Sequence, residues 1–448
     1  MSELKEAAQE IVDFARDAGA DDAVAEVFDH RTHQIRYSNS RIDASNWWGL
    51  KHAHVFVAIG KRTLSTDLLD LASAKASVEA LVQGARVTPE NSAYTGIASG
   101  KFKYRRGKAD PKIVAMRSPT KHVHDAISAA VREGATEVGG TLFVRHMRAG
   151  IASSGGALAE DESSALELSV RAFSQPEASG HALCCTHKLS GMDARGTGSR
   201  AGQMAFLAKD PVQGDVGKMD LILEPMFLGE LMHSTSHMMS AFYVEVGMSM
   251  FAKRVGKKVA SEEVTLVDDP TMPSTSQRAF DHEGVPTKRT VMIDRGVLKT
   301  YLHDTSTAKR FKTKTTGNAG PYVPIGFDPP AAPLPIHPVL EPGDLSVEEM
   351  IADTKNGLYL NNTWYTRYQS YSRGDFSTIP RDAILKIEDG RIVGAVKSIR
   401  VSDNMLTLWK NIDAVSKSTE EVFWWDEVAP PSTLPSVRVK GMNITRSS

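Results

Sequence analysis

Two stretches read as strand, glycine turn, strand, and they limit the fold more than any other feature. Val291-Met292-Ile293-Asp294-Arg295-Gly296-Val297-Leu298 and Leu385-Lys386-Ile387-Glu388-Asp389-Gly390-Arg391-Ile392 place β-forming residues on either side of a residue–Gly pair. That spacing lets a chain reverse and pair with itself antiparallel. Both lie in the second half, so that half is built on antiparallel sheet. The chain has 448 residues, room for about two or three domains at roughly 150 residues each. Its 41% hydrophobic and 24% charged residues exclude disorder as its main state. Lys and Arg total 53 against 54 Asp and Glu, so no overall field draws in nucleic acid or an anionic membrane.

The first half mixes helix and strand. Leu4, Ala7, Ala8, Ile11, Val12, Ala15 and Ala18 recur at helical spacing and predict a helix over 3–18, with Gly19 as its C-cap. Short β-rich runs follow between 24 and 64, including Gln34–Tyr37 and His54–Ile59. Thr66 is placed to cap a second helix carrying Leu68, Leu71, Val78, Leu81 and Val82. His124–Glu133 predicts a further helix, and Leu166, Leu168, Val170 and Ala172 alternate as a half-buried strand. The turn residues of Lys209–Lys218 mark a boundary before Leu221-Ile222-Leu223. We therefore expect an α+β fold: a helix/sheet domain over 1–214, then a domain dominated by antiparallel β-sheet over 215–448. Eight prolines between Pro321 and Pro342 predict an extended surface connection. Ser346-Val347-Glu348-Glu349 predicts a capping box opening a helix that stops at Asn356-Gly357.

Chemistry concentrates in Glu224–Gly247. Glu-Pro suits a helix start, and the helix that follows puts Leu228, Leu231, Met238 and Phe242 on one stripe and Glu230, His233 and His237 on another. Two histidines four residues apart can share a metal ion, as in His-Glu-x-x-His hydrolases. Here Ser234 stands where that motif has its glutamate, and a serine hydroxyl is not basic enough to take a proton from metal-bound water. A structural or substrate-facing role is favoured; a metal site with Glu230 as third ligand is the alternative.

Other patterns carry less. His282-Glu283-Gly284-Val285-Pro286 is a turn, because Pro286 would break a zincin helix. His181–His187 is a strand with Cys184 and Cys185 on opposite faces, and two adjacent cysteines build no disulfide framework. Gly196–Gly202 lacks the flanks of a phosphate loop and reads as a flexible connection. Residues 101–121 hold eight basic side chains (Lys101, Lys103, Arg105, Arg106, Lys108, Lys112, Arg117, Lys121) and one acid, Asp110. A solvated strand and loop explains them; nucleic-acid binding, with Phe102 and Tyr104 stacking on bases, ranks last. Thr315–Gly320, after Lys309, Arg310, Lys312 and Lys314, reads either as a solvated turn or as a loop whose backbone approaches an extended ligand. No run of 18 apolar residues appears, and Met-Ser-Glu-Leu-Lys-Glu has neither part of a secretory signal. We expect no membrane partner and a cytoplasmic setting.

Several ordered segments of the second half resemble the TldD/PmbA (TldE) family, described as modulators of gyrase and as metallopeptidases. They are Ala252–Ser261, Thr265–Pro270, Phe280–Thr287, Gly296–Asp304, Thr316–Ala319, Asn362–Arg367 and Arg400–Met405. In the TldD branch the pattern is His-Glu, three residues and a second histidine, with a late cysteine as third zinc ligand. His237 matches the second histidine, and His233 matches the first only with one residue deleted between them. The glutamate is missing, and Glu420–Glu427 contains no cysteine. The departures resemble the TldE/PmbA branch, which lacks the metal site. The resemblance implies a heterodimer with a TldD-type catalytic subunit that holds the zinc, no cofactor on this chain, and unfolded peptides as substrates held as added strands. Thr316, Gly317 and Asn318 are then the expected strand-binding loop. The alternative is an autonomous metallohydrolase using Glu230, His233 and His237, with another carboxylate as base.

Overall fold

The computed structural model describes residues 3–321, 331–425 and 428–446. Helix α1 (Glu3–Asp17) buries Leu4, Ala8, Ile11, Val12 and Ala15, the stripe its spacing predicts. It lies on an antiparallel sheet of β1 (Asp22–Ser38), β2 (Arg41–Ile59), β3 (Arg62–Leu68), β4 (Glu137–Ser153), β5 (Leu158–Gln175) and β6 (Ala178–Thr186), ordered β3-β2-β1-β4-β5-β6. Between and after these strands come α2 (Ala74–Val87), α3 (Pro111–Val114), α4 (Thr120–Arg132) and α5 (Ala194–Leu207). Alternation along β1 puts Ala23, Ala25 and Val27 under α1 and α2, and Ile35 and Tyr37 under α4 and α5. The other face carries Val24 and Phe28, which pack against Ala279 and Phe280 of the second half.

The second sheet is built from β7 (Val212–Gln213), β8 (Gly217–Leu223), β9 (Leu266–Asp268), β10 (Thr290–Asp294), β11 (Val297–Leu298), β12 (Pro338–Leu340), β13 (Asn356–Ser370), β14 (Asp375–Glu388), β15 (Arg391–Lys397), β16 (Ile399–Asn404), β17 (Ile412–Trp424) and β18 (Val428–Arg446). Its path runs β11-β10-β9-β12-β18-β8-β13-β14-β15-β7, with β16 against β14 and β18, and β17 against β18. Both predicted hairpins form, β10 with β11 and β14 with β15. Parallel pairs join β8 to β13, β12 to β18 and β7 to β15; the other pairings are antiparallel. The helices of this half are α6 (Pro225–Met238), α7 (Ala241–Glu245), α8 (Thr305–Arg310), α9 (Val347–Ala352) and α10 (Met405–Lys410). Helix α6 lies on the apolar face of the sheet, in a core with Leu221, Leu223, Trp409, Val437 and Val439. The fold class is α+β, and no helix among the described residues is long and apolar enough to cross a membrane.

Several local expectations are corrected. Thr66 caps no helix: it sits in β3 opposite Val55, because the turn at Gly60 brings this segment back onto β2. The helix starts at Ala74 instead. Gly196–Gly202 is not a flexible connection but part of α5, with Asp193 accepting from the Gly196 N–H at its start. Its glycines serve close approach. A Cβ on Gly198 would lie 2.1 Å from the Ala126 carbonyl oxygen of α4, and one on Gly202 2.6 Å from that of Ala130. Gly198→Ala is therefore expected to lower stability by about 1–3 kcal/mol through overpacking, read as a fall in the urea midpoint at unchanged slope.

The proline-rich stretch is not all surface connection. Pro338 opens β12 between β9 and β18, and as the first residue of a short strand it has little need of a donor. The prolines at 324, 329 and 330 lie outside the described residues. The capping box forms at Ser346, but α9 ends at Ala352, and Asn356-Gly357 instead begins β13. Phe242 leaves the α6 stripe because the Ser240 side chain starts the separate helix α7.

Candidate functional site

Helix α6 forms where Glu224 holds an extended backbone as N-cap and Pro225, with no N–H to satisfy, opens the first turn. Met226, Phe227, Leu228, Leu231, Met232 and Met238 are buried in the core, and the Trp409 indole donates to Thr235 Oγ1 at 3.2 Å. The opposite side carries Glu230, His233, Ser234 and His237, as helical spacing predicts.

The two imidazoles stack, with centroids 4.5 Å apart and planes inclined by 27°. His237 Nδ1 donates to the His233 carbonyl oxygen at 2.7 Å, which leaves Nε2 as the acceptor nitrogen. Burial, and then the neighbouring His233, pulls His237 down to about 4, so it is neutral at physiological pH. Glu230 accepts from the Thr366 N–H at 3.4 Å, which ties the polar face of α6 to β13. Beside it, burial raises the Tyr368 phenol, which also faces Ser234 and the Glu230 carboxylate. Trp364, Tyr365 and Tyr371 are exposed, and Tyr371 stacks on Tyr368 with centroids 5.1 Å apart.

A catalytic zinc site needs three converging protein ligands and an open position. Among the described residues, no three His, Cys, Asp or Glu side chains are gathered to hold a metal ion. Nor does Ser234 offer a proton acceptor at this pH.

Thr316 and Asn318 are turned into the fold. Thr316 Oγ1 accepts from the His303 N–H at 2.8 Å. Asn318 Nδ2 donates to Asp268 Oδ2 at 2.6 Å and to the Leu334 carbonyl at 3.1 Å. Gly317 holds φ +75° between them, and a Cβ there would lie 2.8 Å from the Pro286 carbonyl oxygen. The loop thus sits tightly on the turn at 284–287. In β6, Cys184 and Cys185 donate to separate carbonyls, of Gly191 and Phe423, and burial raises both thiols.

Two arrangements escape a reading of the sequence. Glu224, legible there only as a helix start, is 2% exposed. Its carboxylate accepts from Asn361 Nδ2 at 2.6 Å, Arg200 Nη2 at 3.1 Å and the Tyr359 hydroxyl. His282, legible only as part of a turn, donates from Nδ1 to Glu26 Oε2 at 2.6 Å and accepts at Nε2 from Arg278 at 3.0 Å, while Arg278 reaches Glu26 Oε1 at 2.7 Å. Burial would raise the Glu26 carboxyl, but His282 and Arg278, both hydrogen-bonded to it, outweigh that and hold it at about 2. Only the buried Glu-Pro dipeptide hints at the first, and nothing local signals the second.

A family model, the PmbA/TldA metallopeptidase C-terminal domain, matches residues 216–446, from β8 through β18 with α6 included. The chain belongs to the PmbA/TldD family. TldE from Thermococcus kodakarensis shares the fold, with a TM-score of 0.86 at 21% identity over 98% of this chain and 100% of that one. A metalloprotease of Methanothermobacter thermautotrophicus is 31% identical over 224 residues, 50% of this chain and 48% of its own. One of Methanocaldococcus jannaschii is 34% identical over 206 residues, 46% of this chain and 44% of its own. The chain spans about half the length of the curated relatives it matches.

Proposed function

We propose that this chain is the TldE-like, non-catalytic subunit of a two-subunit zinc peptidase that cleaves unfolded peptides. The observation that carries the reading is Ser234 between His233 and His237: the helix keeps the paired imidazoles of a metallopeptidase but has no carboxylate at the position of the base. A TldD-type partner would supply the zinc and the base. This chain would shape the peptide channel, with the polar face of α6 and the exposed Trp364 and Tyr365 of β13 along its wall, and would stabilise its partner. Extended peptides suit such a channel, because backbone hydrogen bonds recognise varied sequences.

The test is to mix the purified chain with a TldD-type subunit and follow cleavage of an unfolded peptide. Mixing is expected to raise the rate at least about tenfold, some 1.4 kcal/mol of barrier, while the chain alone stays inactive. An unchanged rate on mixing removes the role. So does chelator-sensitive hydrolysis by the chain alone, which would favour an autonomous metallohydrolase using Glu230, His233 and His237.

A further inference from the structure

The basic segment that the function above leaves unused builds one wall of a cleft. Tyr104 anchors it: its hydroxyl donates to the Gly284 carbonyl at 2.7 Å and its ring meets Phe280 edge-on. Packed in this way, the Tyr104 ring is not available to stack on a base. Lys103 and Arg105, on either side of it in the chain, line a cavity of about 380 Å³ together with Arg278, Lys288, Arg289 and Thr271.

The charge balance of this cavity is one-sided. Arg278 is matched by Glu26 at 2.7 Å, and Arg289 by Glu341. Lys103, Arg105 and Lys288 form no ion pair among the described residues. Lys288 donates to the Thr315 carbonyl at 2.9 Å, and burial, with Lys314 nearby, lowers its ammonium from the usual lysine value. Cations gathered around one cleft repel each other unless an anion enters, and guanidinium groups match a carboxylate with two parallel hydrogen bonds. The Lys288–Thr315 bond puts the cleft against the Thr316–Asn318 loop. Across Gln277 and Arg278 lies a second cavity, of about 330 Å³, lined in part by Met147, Leu334, Pro335 and Ile336. A charged cleft and a cavity with an apolar side, sharing the Gln277–Arg278 wall, suit the last residue of a peptide, with its carboxylate in one and its side chain in the other.

We propose that this cleft is a carboxylate subsite for the C-terminal end of a peptide. The assignment rests on the peptide-handling reading above and deepens it by naming the end of the substrate that is held. Binding to the full chain alone tests it without a partner subunit, so the outcome is separate from that of the mixing experiment. The probes are a fluorescein-labelled alanine–leucine hexapeptide with a free C-terminus, the same peptide as its C-terminal amide, and inorganic phosphate. The free acid is expected to bind at least about tenfold more tightly than the amide. The double variant Lys103→Gln, Arg105→Gln is expected to bring the two peptides level. Both side chains are exposed, so the variant keeps its fold, which circular dichroism checks. Equal binding of acid and amide, binding of neither, or a preference that survives the double variant overturns the proposal. Displacement of phosphate but no peptide preference makes the cleft a phosphate site and overturns it as well.

Discussion

Replacing Glu224 by alanine is expected to destabilise the chain by about 3 kcal/mol, the scale for breaking a buried ion pair from one side. The buried carboxylate is where three elements meet. Arg200 comes from α5, Tyr359 and Asn361 come from β13, and Glu224 itself is the N-cap of α6. Truncation leaves the buried Tyr359 hydroxyl without its acceptor and the Asn361 amide with only the His181 carbonyl. Arg200 keeps Glu420, which holds the loss near the lower end of that scale. Glu224→Gln preserves shape and some hydrogen bonding and should lose about half as much. Urea unfolding measures the loss, and amide exchange along 225–238 should accelerate as the start of α6 loosens. A loss below about 1 kcal/mol with unchanged exchange would show that the helix bearing His233 and His237 is held by its apolar face alone.

Residues whose roles are set by near neighbours are legible in the sequence itself. The hairpins at Gly296 and Gly390 follow from a residue–Gly pair between β-formers, the capping box at Ser346 from a glutamate three residues on, and the polar face of α6 from helical spacing. What the sequence hides depends on partners distant along the chain. Gly198 and Gly202 look like a flexible linker until α4 is laid across them, because glycine signals both freedom and close approach. Thr66 carries a capping signal that pairing with β2 overrides. Glu230, His233 and His237 stand out as candidates because they share one helix. Glu224 with Arg200, and Lys103 with Lys288, are brought together only by the packing of one half on the other, and no spacing rule reports that.

The chain is expected to lose stability steeply as the pH falls from about 6.5 toward 4. His181, His237, His303 and His337 are each pulled down to about 4, burial being the main cause in every case. An unfolded imidazole takes its proton below about 6.5. Between those values the unfolded chain binds more protons than the folded one, so stability rises with pH through the window and is lost as pH falls through it. Each such histidine contributes a slope of about 1.4 kcal/mol per pH unit. Buried carboxyls act in the opposite sense, Asp161, Glu283, Asp304 and Glu421 among them, each raised chiefly by burial. Burial raises Asp268 to about 6 and pushes Asp281 up as well; the contribution of such groups is present at low pH and lost as pH rises through their folded values. They offset part of the histidine slope below 6. Above about 6.5 the histidines contribute no further slope, and the raised carboxyls turn it downward. Urea midpoints at half-unit pH steps trace this curve. His337 is the residue to change, since its ring is fully buried with Ser276 on Nδ1 at 2.7 Å and Thr433 on Nε2 at 2.9 Å. His337→Gln, which cannot titrate, should make the acid limb shallower by about 1.4 kcal/mol per pH unit. An acid limb unchanged in the variant would mean that the His337 imidazole is already charged in the folded chain.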